Sequence, residues 1–80
     1  MRFFAAARAA VGRSEAEVDA STLGDALSEV TAGLAGSKLD RWEDLRSRCS
    51  YLVDGVTTRD LATSLEGVAA VDVMPPFAGG

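Results

Sequence analysis

Apolar and polar positions follow two different periods along this chain, and the switches between them mark its elements. The opening run "RFFAAA" (residues 2–7) is aromatic and continuously apolar, as a strand buried on both faces would be. Alanine is a weak strand former, so a helix is the competing reading there. Gly12 marks a turn. "EAEVDA" (15–20) then alternates strictly, with Ala16, Val18 and Ala20 on one face and Glu15, Glu17 and Asp19 on the other. That period predicts a half-buried strand paired back to the first.

The period changes to that of a helix in "STLGDALSEVTAGLAG", where Leu23, Leu27, Val30 and Leu34 recur on one face. Thr22 is placed to cap its start, with Asp25 three residues on, and Gly36 is a natural stop. "KLDRWEDLRSR" (38–48) predicts a shorter helix with Leu39, Trp42 and Leu45 inward. "CSYLVDG" reads as a buried strand closing on Asp54-Gly55, a hairpin-turn pair. "VTTRDLATSLEG" is irregular, with a helical turn around 59–65. In "VAAVDVMPP" a last strand turns Val71 and Val73 to one side and Asp72 and Met74 to the other. Pro75 and Pro76 end it, because they have no N–H for a ladder.

Strand, strand, helix, helical turn, strand, irregular segment, strand is the order of an α+β domain in which a crossover helix packs on one face of a small mixed sheet. It is the plan of the β-grasp, or ubiquitin-like, fold. Eighty residues suffice for one modest core. The division expected is a β-grasp domain over 1–74 and an extended C-terminal tail over 75–80.

Charge narrows the function. The net charge is −4, and residues 49–80 carry one basic and four acidic groups, so the end that bears the tail is the acidic one. No basic surface is present to replace counterions on phosphates, which argues against nucleic-acid binding. A receiving surface for the tail should be basic. Arg8 and Arg13 break up the early apolar stretch before it reaches signal-peptide length, and no run approaches a membrane span. With a single cysteine, no internal disulfide can form. A cytoplasmic protein is expected.

Little in the domain itself suggests catalysis. There is no histidine, the commonest general base and metal ligand. Cys49 opens an apolar strand without a partner base and reads as a buried small hydrophobe rather than a reactive thiol. Glu15, Glu17 and Asp19 read as a solvated strand face rather than a cation site, and no metal is expected. "GLAGSKLD" lacks the spacing of a phosphate-binding loop and reads as a helix end, so no bound cofactor is expected either. Trp42 reads as a packing residue.

The remaining feature is the end, "DVMPPFAGG". The fixed φ of Pro75 and Pro76 favours an extended exit, and residues 75–80 could project the Gly80 carboxylate about 20 Å. Gly79 and Gly80 have no Cβ and can thread a narrow channel. A carboxylate is inert as an acyl donor until it is joined to AMP as a mixed anhydride, which a sulfur nucleophile can open. That step needs an external ATP-using enzyme.

"FFAAARAAVG", "TLGDAL", "YLVDG" and above all "DVMPPFAGG" resemble the family of molybdopterin synthase small subunits, within the wider family of ubiquitin-like sulfur carriers that includes the thiamine-biosynthesis carrier. The resemblance covers nearly the whole chain, and "PPFAGG" is its most specific part. It implies that an E1-like adenylyltransferase uses ATP to adenylate Gly80, and that a sulfur donor then converts it to a thiocarboxylate. It also implies that the tail enters the molybdopterin synthase large subunit and passes sulfur to precursor Z (cyclic pyranopterin monophosphate). Under the resemblance Gly80 bears the sulfur, Gly79 is its slim neighbour, and Pro75, Pro76, Phe77 and Ala78 form the threading segment, with Phe77 as an apolar anchor. It implies a monomer alone and a heterotetramer with the large subunit. Ala9 follows Arg8 where many relatives have an acidic residue, a departure that bears on Arg8 and not on the tail. Three other readings stand beside it: a carrier serving thiamine, cysteine or another sulfur metabolite, a ubiquitin-like protein modifier, and a binding module whose glycine pair is incidental.

Overall fold

A computed structural model describes residues 1–76. Its elements are β1 (Arg2–Phe3), α1 (Ala5–Val11), α2 (Leu23–Ala32), α3 (Gly36–Arg46), β2 (Ser50–Val53), β3 (Val56–Thr58) and β4 (Val71–Met74). The strands form one mixed sheet in the order β1-β4-β2-β3. β4 runs parallel to β1 and antiparallel to β2, while β2 and β3 form an antiparallel hairpin. The expected α+β class, a helix-covered mixed sheet, is what the chain adopts.

The hairpin turn is local chemistry. Asp54 and Gly55 have φ of +48° and +84°, the left-handed pair that a two-residue turn requires. The carboxylate of Asp54 then accepts the backbone N–H groups of Ala69 and Ala70, each at 2.9 Å, and so fixes the approach to β4. α2 starts as expected, with the Thr22 hydroxyl accepting Asp25 N–H at 3.2 Å.

Four expectations are corrected. The first strand covers only Arg2–Phe3, and Ala5–Val11 is helical. Alanine is the best helix former, and turning Ala7, Ala10 and Val11 inward at helical spacing buries all three. Residues 15–20 form no regular strand: they meet β1 only through the Arg2–Glu15 bridge, since so short a β1 offers no further partner. α2 does not run to Gly36. Its last turn tightens, with Gly33 N–H bonded to Val30 O and Leu34 N–H to Thr31 O, and Gly36, at φ +60°, opens α3 instead. Within the irregular segment Val56–Thr58 is a strand, and no helix forms over 59–65.

All three helices contribute to one core. Phe3, Ala7, Ala10, Val11, Leu23, Leu27, Val30, Trp42, Leu45, Cys49, Tyr51, Val71 and Val73 form a continuous buried cluster. Trp42 is its largest fully buried member and meets Phe3 edge to face, ring centroids 5.8 Å apart. Its indole N–H donates to the Thr31 hydroxyl at 2.8 Å. Trp42 is thus a packing residue, as its spacing suggested. Among the described residues no helix is long and apolar enough to cross a membrane.

Candidate functional site

The strand that leads to the tail lies inside the sheet, with a neighbour on each side. Val73 sits between Phe3 of β1 and Tyr51 of β2, and none of its surface is exposed. Val71 and Val73 face the core, while Asp72 and Met74 face the opposite side of the sheet, as their alternation predicted. Moving β4 would break both ladders at once. The strand ends at Met74, which lies opposite Ser50. Pro75 is buried and Pro76 is exposed, and neither has a backbone N–H with which to extend the ladder.

The open face of the sheet beside this exit carries a clamp that the sequence did not disclose. Arg2 and Asp72 are directly opposite across β1 and β4, and the guanidinium binds the carboxylate through Nε at 2.6 Å and Nη2 at 2.9 Å. The hydrogen bond and charge of Asp72 hold the Arg2 pKa above its ordinary value. The same guanidinium lies 5.8 Å from the ring centroid of Phe4, one of the few large apolar side chains left exposed. Phe3 pairs with Val73, so Phe4 comes next along β1 in the direction of the exit. The one available signal was the polar Asp72 between two inward valines.

The reactive groups in the interior are quiet. Cys49 is buried, and burial pushes its thiol above the ordinary value, against the opposing pull of Arg48 and Arg59. The Tyr51 hydroxyl is likewise pushed up by burial, to about 12, and donates to Arg46 O at 2.8 Å. A protonated thiol beside a protonated phenol, with no histidine in the chain, offers neither a nucleophile nor a base near pH 7. Glu15, Glu17 and Asp19 are exposed, and among the described residues no three metal-ligating side chains converge.

Of the residues expected to carry the chemistry, the structure places Pro75 and Pro76 at the exit of the central strand. Phe77, Ala78, Gly79 and Gly80 lie outside the described residues.

A family model described as the ThiS family matches residues 1–80, the whole chain. No curated protein matches it.

Proposed function

The chain belongs to the ThiS family of ubiquitin-like, β-grasp sulfur carriers, and from that premise we propose that it is the sulfur-carrying small subunit of molybdopterin synthase. Carriers of this family work with an E1-like activating enzyme and a catalytic partner. The observation that carries the finer reading is the "DVMPPFAGG" ending set on a central strand: a rigid root, two prolines, one aromatic residue, and a glycine pair at the tip.

Residues 1–74 are the docking domain in this reading, and 75–80 the working tail. The E1-like adenylyltransferase joins the Gly80 carboxylate to AMP, and pyrophosphate leaves. Sulfur delivered by the donor at the sulfide level attacks the acyl carbon, the C–O bond to AMP breaks, AMP leaves, and Gly80 becomes a thiocarboxylate. In the large subunit the sulfur passes from Gly80 to precursor Z in the cytoplasm. The fold's own part is positional: β4 fixes the root, and Pro75 and Pro76 stiffen the first step. Phe77 fills an apolar pocket of the partner, and Ala78 and Gly79 pass through a channel too narrow for larger side chains. The protein is monomeric alone and enters a heterotetramer with the large subunit.

The test is fragmentation of the C-terminal peptide after isolation with the activating enzyme and sulfur donor. Exchange of oxygen for sulfur shifts the mass by nearly as much as oxidising Met1, Met74 or Cys49, so the shift must be located at Gly80. Incubation with the large subunit and precursor Z should then discharge it. A charged Gly80 that is not discharged there would redirect the carrier to thiamine, cysteine or another sulfur metabolite. Isopeptide conjugates on other proteins would make the protein a modifier. Deleting Gly79 and Gly80 should abolish charging and leave the melting temperature nearly unchanged.

A further inference from the structure

Among the described residues, a broad concavity lies outside the site described above. A groove of about 830 Å³ opens between residues 16–20 and residues 65–71, at the end of the sheet where β4 begins. Met1, the residue before β1, is among those that line it.

The hydrogen bonds on its wall show what shape it fits. Met1 N donates to Ala16 O at 2.8 Å, Ala16 N donates to Met1 O at 2.9 Å, and Phe3 N donates to Ser14 O at 2.9 Å. That is an antiparallel ladder in which residues 1 and 16 exchange both bonds. Beyond such a pair, alternate residues turn their N–H and C=O toward the partner position. Asp19 fits this register, because its N–H points the other way and is bonded to Glu29 Oε2 at 3.2 Å. Val18 and Ala20 are then the residues whose backbone faces the groove, and neither has a backbone hydrogen bond among the described residues. The far end is closed by Leu65 N–H bonded to Ser21 O at 2.9 Å, and the opposite wall is held where Asp54 grips Ala69 and Ala70.

Side chains in the groove repeat the pattern of β1. Phe3 faces the core, Arg2 faces the open side between Glu15 and Asp72, and Met1 packs against the core again. One step further back, the next position lies opposite exposed Glu17. The step after that lies opposite half-buried Val18, with Leu65 and Val68 on the other wall. An alternation of basic and apolar residues satisfies both rows.

We propose that this groove is a strand-accepting site, and that its occupant is a segment of the same polypeptide joined to the nitrogen of Met1 in a longer form of the chain. The segment runs antiparallel to Glu17–Ala20 for about four residues, roughly 13 Å of strand. It exchanges hydrogen bonds with Val18 and Ala20 and completes the β1 pairing that stops at the Arg2–Glu15 bridge. A segment attached to the Met1 nitrogen enters in the register that Met1 and Ala16 already set, without a turn.

The experiment compares the 80-residue chain with one carrying Met-Lys-Val-Lys before Met1, which sets the lysines opposite Glu17 and Asp19 and the valine opposite Val18. Amide hydrogen exchange at Val18 and Ala20 should slow at least about tenfold, and the melting temperature should rise. A second extension, Met-Lys-Pro-Lys, has no N–H to donate to Val18 O, so the ladder loses a bond there and the protection of Val18 and Ala20 should be weaker than with the first extension. Unchanged exchange at both amides with the first extension would overturn the proposal, as would equal protection by the proline version. A free Lys-Val-Lys peptide that protects the two amides while the attached segment does not would overturn the assignment of the occupant. Intact mass of the polypeptide from its natural source should exceed that of the 80 residues, and equality would refute the longer form.

Discussion

Replacing Thr31 by valine tests how the core is held together. The Thr31 hydroxyl accepts Trp42 Nε1–H at 2.8 Å and Arg46 Nη1–H at 2.7 Å, and donates to Leu27 O at 2.8 Å. One donor and two acceptors are all in use. Valine keeps the branched shape and removes all three bonds. Arg46 is part exposed and can turn to water, but Trp42 is fully buried, so its N–H is stranded. A buried donor left unpaired costs about 1–3 kcal/mol, and we expect about 2 kcal/mol in total. For a domain of this size that lowers the melting temperature by about 8–16 °C. The assay is urea unfolding, followed by fluorescence of the single tryptophan in Trp42-containing proteins and by circular dichroism in all of them. Thr31→Val made in a Trp42→Phe background should cost about 1 kcal/mol less, because no indole N–H remains to strand. A Thr31→Val protein within about 0.5 kcal/mol of its parent, or an equal cost in both backgrounds, would refute the reasoning.

Asp54→Ala removes the grip on Ala69 and Ala70 and puts a Cβ-bearing residue without a side-chain acceptor at φ +48°; about 1–3 kcal/mol should be lost, with faster exchange of the Ala69 and Ala70 amides as the local readout. Gly55→Ala should destabilise by about 1 kcal/mol or more, because its Cβ meets nothing and the cost is that of its φ of +84° alone, and urea unfolding of the variant checks it. Tyr51, the single tyrosine, should ionise near pH 12 and not 10 when followed by its phenolate absorbance. Its folded value is raised, so its contribution to stability is whole below pH 10 and fades as the pH climbs toward 12; a midpoint near 10 would contradict the burial that raises it.

The parts of the fold legible in the sequence are those whose cause is local. The Thr22 cap and the Asp54-Gly55 turn each need only two or three neighbouring residues, and both form where expected. The alternation in 15–20 set the faces correctly, with Ala16, Val18 and Ala20 half-buried and the acids exposed, yet a regular strand also needs a partner of equal length, and β1 is too short to supply one. The alanine run failed for a different reason. Its residues lack the size contrast that tells period two from period 3.6, so the packing of Ala7 and Ala10 under Trp42 and Leu45 decides. Gly36 read as the stop of α2, but a glycine marks a break without saying which side the next helix takes, and the structure ends α2 at Ala32 and opens α3 at Gly36. At the site, Pro75 and Pro76 were readable as the end of β4, but the Arg2–Asp72 clamp joins residues 70 positions apart, and the polar Asp72 between two inward valines does not by itself name its partner.

What β4 contributes to the proposed chemistry follows from where it lies rather than from what it contains. A tail of a few residues delivers its tip accurately only if its root does not move, since any displacement at Pro75 is carried to the end. An edge strand would be tied by one ladder; β4 is tied by two, with Val73 fully buried between Phe3 and Tyr51. Arg2 and Asp72 add a tie across the open face. The arginine side chain there is 53% exposed, so screening by water and salt leaves the pair little to add to global stability. Its bidentate geometry instead fixes the angle between β1 and β4 and holds Phe4 beside the exit. Under the proposed chemistry, then, the domain's contribution is a strand restrained in the middle of the sheet, while burial pushes the Cys49 thiol and the Tyr51 phenol up behind it.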